Sequence, residues 1–131
     1  MDISNRNTKS KILLVESNEL LRDVLRDVFE KYGYCIVAVD TAKDGSQILR
    51  DDCHDIVISD FDLKDSTGVE FFKSLKSVCS DKTTVLMINY GDLDNISGAK
   101  KHGIHHVIEK PFLIRELLQI VEEAFQSRLT A

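Results

Sequence analysis

The 131-residue sequence lacks any long apolar run. None of its hydrophobic stretches approaches the ~18 residues that a membrane-spanning helix requires. The first eleven residues, MDISNRNTKSK, also lack the apolar segment of a secretory signal peptide. We therefore expect no membrane partner, a cytoplasmic location, and a polar, flexible arm over residues 1–10.

Cysteine is scarce as well. Cys35, Cys53 and Cys79 are odd in number and widely spaced, and no CxxC pair occurs. Because such spacing indicates neither a disulfide framework nor a zinc ribbon, we expect free thiols in a reducing cytosol.

Runs of basic residues are missing too. The longest is Lys100–Lys101, and the net charge is −5, so the sequence predicts no nucleic-acid partner. His102, His105 and His106 cluster in sequence, but their spacing around Gly103 matches no zinc motif. We expect these histidines to lie on the surface.

The composition is that of an ordinary globular domain, with 43% hydrophobic and 30% charged residues. A chain of this length buries enough surface to fold without a metal or a disulfide. No break in composition, repeat or low-complexity segment divides it. We expect one domain over residues 11–128.

Short apolar runs alternate with segments of helical periodicity, five times over. The predicted strands cover residues 11–15, 35–39, 55–59, 83–88 and 106–108. Helical spacing follows each of them, over residues 21–32, 42–51, 69–79, 93–102 and 113–125. Asn18 is the expected cap of the first helix, Asp65 and Thr67 are expected to start the third, and Gly68 is expected to serve backbone conformation. This pattern predicts an α/β fold with helices on both faces of a doubly wound, five-stranded parallel sheet. The strand order 2-1-3-4-5 gives a flavodoxin-like, three-layer arrangement.

Polar residues follow four of the predicted strands. Glu16 and Ser17 come after the first strand, Asp60 after the third, Asn89 after the fourth and Lys110 after the fifth. In doubly wound sheets, ligands bind beyond the carboxyl ends of the strands. The sequence therefore predicts that these side chains lie side by side along one edge.

A single acid at the end of a strand is commonly a turn or capping residue. The set of Glu16, Asp60 and Lys110 at three strand ends favours a charged site instead. A flavin or nucleotide site is disfavoured, because residues 16–19, ESNE, are acidic and lack the glycines of a phosphate cradle.

Four short motifs, in order and at characteristic spacing, resemble the receiver domain of two-component response regulators. They are ILLVE at 12–16, AKDG at 42–45, DIVISD at 55–60 with Gly68 eight residues on, and KPF at 110–112. Each motif alone is weak, but together they cover residues 11–127. The resemblance implies a flavodoxin-like fold and a role in a phosphorelay.

The resemblance also implies a chemistry. Asp60 would accept a phosphoryl group, Mg²⁺ would neutralise charge beside it, and Lys110 would contact a phosphoryl oxygen across a cis bond to Pro111. The implied metal ligands are Glu16, Asp60 and the backbone carbonyl of Asp62. Such a protein is not an enzyme on other substrates; it gains and loses its own phosphoryl group.

The sequence departs from the receiver pattern at several positions. Ser17 stands where receivers carry the direct carboxylate ligand, so Mg²⁺ binding is expected to be weakened. Asn89 stands in place of the switch Ser or Thr, and Val107 in place of the switch aromatic residue. Tyr90 is expected to narrow the entrance, and Lys64, where proline is usual, to balance the nearby acids.

The resemblance implies a sensor histidine kinase or a phosphotransfer protein as phosphodonor. It further implies an output protein or a homodimer bound through the fourth predicted helix, the fifth strand and the fifth helix. The alternative is an atypical pseudo-receiver, an interaction module that works without phosphorylation. Ser17 and Asn89 favour the alternative, whereas Asp60 and Lys110 favour the phosphoryl acceptor.

Overall fold

In the computed structural model, which describes residues 10–96 and 98–130, five strands form one parallel sheet in the order β2-β1-β3-β4-β5. The strands are β1 (Lys11–Val15), β2 (Cys35–Val39), β3 (Ile56–Asp60), β4 (Thr83–Asn89) and β5 (His106–Lys110). The α-helices are α1 (Glu19–Lys31), α2 (Ala42–Asp51), α3 (Gly68–Ser74) and α4 (Ile114–Thr130). The predicted fold class and strand order are confirmed. The predicted arm falls almost entirely on residues outside the described part and stays a prediction.

Side chains near the start of each helix explain where α1, α2 and α3 begin. Asn18, Thr41 and Thr67 each accept a hydrogen bond from the backbone N–H three residues on. Such caps satisfy amides that the helix itself leaves without a partner. The predicted cap at Asn18 is confirmed, and Gly33, with φ of 90°, follows the end of α1.

Apolar clusters cover both faces of the sheet. On one face, residues such as Leu25 and Phe29 of α1 pack with Leu117 and Val121 of α4. On the other, Phe71 and Phe72 of α3 belong to a separate cluster. The central strands are buried throughout, which is why they appear in the sequence as continuous apolar runs.

The predicted fourth helix, over residues 93–102, is wrong. The described part of that segment holds 3₁₀ turns at Leu93–Ile96 and Ala99–His102. Gly98 lies between them with φ of 78°, a backbone conformation that ends a right-handed helix. The third helix is also shorter than predicted, because it ends at Ser74 and the chain continues in turns to Cys79.

The expectation that all three cysteines are free thiols is also wrong. A disulfide joins Cys53, just before β3, to Cys79, in the connection between α3 and β4. Both connections lie at the amino edge of the sheet, which brings the two Cα atoms to 5.6 Å, within the range that a disulfide spans. Cys35 is a free, exposed cysteine.

The described helices lack the combination of length and hydropathy that crossing a bilayer requires. None of them in residues 10–96 and 98–130 is both long and apolar enough to span a membrane.

Candidate functional site

Strand ends at the carboxyl edge of the sheet carry the side chains that the sequence predicted to lie together. Asp60 is the last residue of β3, and Glu16 directly follows β1. Farther along this edge, the strand register pairs Asn89, the last residue of β4, with Lys110, the last residue of β5. Because all of these strands are parallel, the residues share the edge at which doubly wound folds bind ligands.

The Lys110 ammonium group links two carboxylates. Its Nζ lies 3.0 Å from Glu16 Oε1 and 3.0 Å from Asp60 Oδ1. The Glu16 and Asp60 side chains are only 1% and 9% exposed, so this is a buried cluster of two acids and one base. Burial of the second acid is tolerable only because the ammonium group lies between the two.

Glu16 is held firmly from several sides. Its Oε2 accepts a hydrogen bond of 3.0 Å from the backbone N–H of Asn18. Its carbonyl oxygen accepts one of 3.0 Å from Arg22 Nη1. Sequence reasoning gave Asn18 a capping role alone and missed Arg22. The available signal was the position of Arg22 one turn into a helix that starts beside Glu16.

Asp60 binds its proton unusually tightly. Burial and, to a smaller extent, the neighbouring Glu16 carboxylate raise the pKa of its carboxyl group to about 6, although Lys110 opposes both effects. For Lys110, burial acts to lower the pKa, but Asp60 and Glu16 outweigh burial and leave the pKa above the ordinary lysine value. Near neutral pH, Asp60 is therefore mostly ionised and faces a protonated lysine. Asp60 Oδ1 makes no hydrogen bond of good geometry within the described part of the chain.

Ser17 and Asn89 converge on Asp62, in the loop that follows β3. Ser17 Oγ donates to the Asp62 carbonyl oxygen at 3.3 Å. Asn89 Nδ2 donates to Asp62 Oδ2 at 3.1 Å. Asp62, the predicted backbone metal donor, is thus hydrogen-bonded directly to Asn89, the predicted switch position.

Lys64 and Asp65 differ from their predicted roles. Lys64 Nζ lies 2.7 Å from Asp40 Oδ2 and forms an ion pair there, away from the acids of the site. Asp65 was expected to help start α3, but its carboxylate accepts from the backbone N–H groups of Ala42 and Lys43, at 2.9 and 3.0 Å. Asp65 therefore caps α2 and fastens the loop after β3 to the neighbouring helix.

Gly68 lies where α3 comes closest to the site. A Cβ atom there would sit 2.4 Å from the Asp60 carbonyl oxygen and 2.5 Å from Leu86 Cδ1. Gly68 was predicted to serve backbone conformation. The structure shows instead that it allows the close approach of α3 to the end of β3.

Gly68→Ala is therefore expected to lower the free energy of unfolding by about 1–3 kcal/mol, because α3 or the end of β3 must move. Urea unfolding measures the loss. Gly91→Ala is the comparison: no atom lies within 4 Å of an added Cβ there, but φ of 90° strains any residue other than glycine, so its loss measures backbone strain without a clash. Equal, small losses in both variants would contradict the steric reading of Gly68.

The other positions that depart from the receiver pattern lie around this edge. Tyr90 is 81% exposed. Val107 is half-buried and packs against the apolar cluster that contains Phe71 and Phe72. The Lys110–Pro111 peptide bond is cis, as the resemblance implied.

The oxygen atoms of the site fit a weakly held Mg²⁺. Asp60 Oδ1 is buried and faces the Lys110 ammonium group at 3.0 Å without a hydrogen bond of good geometry to the described residues, and the Asp62 carbonyl oxygen lies at the start of the following loop. Mg²⁺ commonly uses one or two carboxylates and completes its shell with water. Both Glu16 oxygens already accept hydrogen bonds, which weakens their use as ligands. In residues 10–96 and 98–130, no group of three His, Cys, Asp or Glu side chains is arranged to hold a metal ion. His102, His105 and His106 therefore do not form such a group either.

Comparison with known proteins agrees with this geometry. The family model of the response regulator receiver domain matches residues 12–122. Response regulator protein FleR of Pseudomonas aeruginosa is 31% identical over 112 residues, which cover 86% of this chain and 24% of FleR. Sporulation initiation phosphotransferase F of Bacillus subtilis is 29% identical over 113 residues, which cover 86% of this chain and 91% of that protein.

Solved structures have the same fold. A response regulator receiver domain protein from Methanospirillum hungatei superposes with a TM-score of 0.87 at 21% identity, over 92% of this chain and 97% of that one. The fold and the charged edge define a doubly wound, CheY-like domain. The chain belongs to the response regulator receiver domain family. Members of this family are generally Mg²⁺-dependent and interact with histidine kinases or phosphotransfer proteins and with output domains.

Proposed function

We propose that the chain accepts a phosphoryl group on Asp60 from a sensor histidine kinase or a phosphotransfer protein. The observation that carries this proposal is the buried Asp60 carboxylate with Lys110 Nζ 3.0 Å away, at the carboxyl edge of the sheet. An ionised carboxylate is a competent nucleophile, and a nearby cation offsets the repulsion between it and an incoming phosphoryl anion.

In the proposed reaction, a carboxylate oxygen of Asp60 attacks the phosphorus atom of a phosphohistidine. The O–P bond forms as the P–N bond breaks, and the departing imidazole keeps the bonding electron pair and takes up a proton. Lys110 contacts the oxygens of the transferred group, while Glu16 fixes the position of its ammonium group. Later attack by water on phosphorus returns Asp60 to a carboxylate and releases inorganic phosphate.

Mg²⁺ is the proposed cofactor, held by the Asp60 carboxylate, the Asp62 carbonyl oxygen and Glu16. When bound, it supplies positive charge beside the phosphoryl oxygens. Ser17 takes the position of the usual carboxylate ligand and offers only a hydroxyl group. We therefore expect half-saturation in the millimolar range or above.

An apolar surface next to the site supports a docking role for the phosphodonor. Leu20 at the start of α1 is 75% exposed, and Leu113 just before α4 is 55% exposed. Between these segments lies an apolar depression of about 580 Å³, lined in part by Leu21, Phe112 and Ile114. Its position beside Asn89 and Lys110 would bring a docked phosphohistidine close to Asp60. This proposal includes a cytoplasmic location, where such donors act.

For output, we propose an interaction face made of the 3₁₀ turns at Leu93–Ile96 and Ala99–His102, β5 and α4, used by an output protein or by a second copy. These turns contribute few buried apolar side chains, and Ile96 is one of them. Segments with few buried contacts are those that rearrange most easily. Residues 11–128 are proposed to form the whole switching domain.

An amide NMR titration with beryllofluoride, a mimic of the phosphoryl group, tests the proposal in the presence of saturating Mg²⁺. We expect shifts at Asp60, Asn89 and Lys110 that are absent in Asp60→Asn. Shifts that extend to the turns at 93–102 would show coupling to the output face. An unchanged spectrum would contradict phosphoryl acceptance.

The competing proposal is a pseudo-receiver that binds partners without phosphorylation. It is supported by the internal hydrogen bonds of the site, since both Glu16 oxygens and the Asp62 carbonyl oxygen already have donors. A site whose acceptors are satisfied has less need of a cation. The same titration separates the two proposals, because a pseudo-receiver leaves the spectrum unchanged at every Mg²⁺ concentration.

A further inference from the structure

Asn89, the predicted switch position of the site, is hydrogen-bonded to Asp62. Asn89 Nδ2 donates to Asp62 Oδ2 at 3.1 Å, although the two residues lie 27 positions apart in the sequence. A neutral amide that donates to a carboxylate makes a charge-assisted bond, which is stronger than a bond between neutral groups.

The loop that carries Asp62 is well fixed, so the bond is not a chance contact of a loose segment. Asp62 bridges to Thr67, and Leu63 N–H donates to the Ser66 carbonyl oxygen at 3.1 Å. Ser17 Oγ holds the Asp62 carbonyl oxygen from the side of β1. The Asp62 side chain itself is exposed, so it can turn towards solvent once its bond to Asn89 breaks.

On the other side, Asn89 is tied to the reacting group through the sheet. The register of β4 and β5 pairs it with Lys110, whose ammonium group lies 3.0 Å from Asp60. Asp60 pairs with Met87, two residues before Asn89 on β4, so the side chains of Asp60 and Asn89 leave neighbouring strands on the same face of the sheet.

We infer that Asp62 is a positioning residue that holds the Asn89 amide away from the phosphoryl position and so sets the affinity of Asp60 for a phosphoryl group. This inference rests on the proposed function. A phosphoryl anion on Asp60 repels the Asp62 carboxylate and offers stronger acceptor oxygens to Asn89. Asp62 then turns to solvent, and the amide passes from Asp62 to the phosphoryl group. The Asp62–Asn89 bond thus favours the unphosphorylated state.

A double-mutant cycle between positions 62 and 89 tests the inference, with beryllofluoride and saturating Mg²⁺ as the probe and NMR line positions as the measure of affinity. Asp62→Ala is expected to raise the affinity about fivefold or more, because it removes both the competing acceptor and a negative charge. In an Asn89→Ala background, the same change removes only the charge, and the gain is expected to shrink. Asp62→Asn, which keeps an acceptor oxygen, should fall between wild type and Asp62→Ala.

Glu30→Ala, which removes an exposed acid near the end of α1 farthest from Glu16, is the control and should leave the affinity unchanged. A readout without ligand is the Asn89 side-chain amide resonance, which should move in Asp62→Ala. Equal affinity gains from Asp62→Ala with and without Asn89 would overturn the inference while leaving the proposed function intact. Absence of beryllofluoride binding in every variant would overturn the proposed function and the inference together.

Discussion

Asp60→Asn is expected to raise the free energy of unfolding by about 2 kcal/mol near neutral pH and to abolish the response to beryllofluoride. The reason is the unfavourable surroundings of the ionised Asp60, whose pKa is raised to about 6 by burial and by Glu16. A shift of about two pKa units corresponds to at most about 3 kcal/mol. The substitution leaves Lys110 paired, because Glu16 Oε1 remains 3.0 Å from its Nζ. Urea unfolding at a series of pH values measures the difference.

The pH dependence of this difference has a definite sign. The folded chain binds the Asp60 proton more tightly than the unfolded chain does, with a pKa of about 6 against 3.8. The contribution of Asp60 therefore favours folding fully below the unfolded pKa and is lost as the pH rises through about 6. The advantage of Asp60→Asn over wild type should be largest above this range and should vanish near the unfolded pKa.

Glu30→Gln is the control for this experiment, since Glu30 is exposed and lies near the end of α1 farthest from Glu16. It should change the free energy of unfolding little at any pH. If Asp60→Asn were less stable than wild type near neutral pH, the attraction of Lys110 would outweigh both burial and repulsion. The charged cluster would then be a source of stability rather than a cost borne for function.

The sheet and the charged edge could be predicted because their signals are local. Strands such as β3 and β4 are buried on both faces, so each is an uninterrupted apolar run that ends at a polar residue. In a parallel sheet, every such end falls on the same edge. The positions of Glu16, Asp60 and Lys110 therefore followed from strand boundaries alone.

Contacts between distant segments could not be predicted in this way. A cap such as Asn18 is visible in the sequence because it precedes its own helix by one residue. Asp65 caps α2 from more than 20 positions away, and no local pattern marks that role. The same holds for the Asn89–Asp62 bond. The prediction of a fourth helix was wrong for a different reason. Gly98 interrupts the helical spacing, and few apolar contacts support the segment.

Reduction of the Cys53–Cys79 disulfide is expected to lower the free energy of unfolding by about 3 kcal/mol. The two cysteines are 26 positions apart, and their link restricts the unfolded chain by closing a loop of that size. Packing in the core also holds this region in place, because residues of β3 and α3 belong to one buried apolar cluster. We therefore expect the reduced protein to fold, with a lower unfolding midpoint in urea and a similar dependence on urea concentration.

The double variant Cys53→Ser/Cys79→Ser should reproduce the effect of reductant, and reductant should have no further effect on it. Cys35→Ser is the control, because Cys35 is free and exposed, and it should retain the full response to reductant. Thiol titration of the unreduced, denatured protein should find one reactive cysteine. Three reactive cysteines would show that the two sulfur atoms lie close without being bonded, and the loss of stability on adding reductant should then be absent. Because the disulfide closes the segment that contains β3, we expect it to make the strand that ends in Asp60 more rigid.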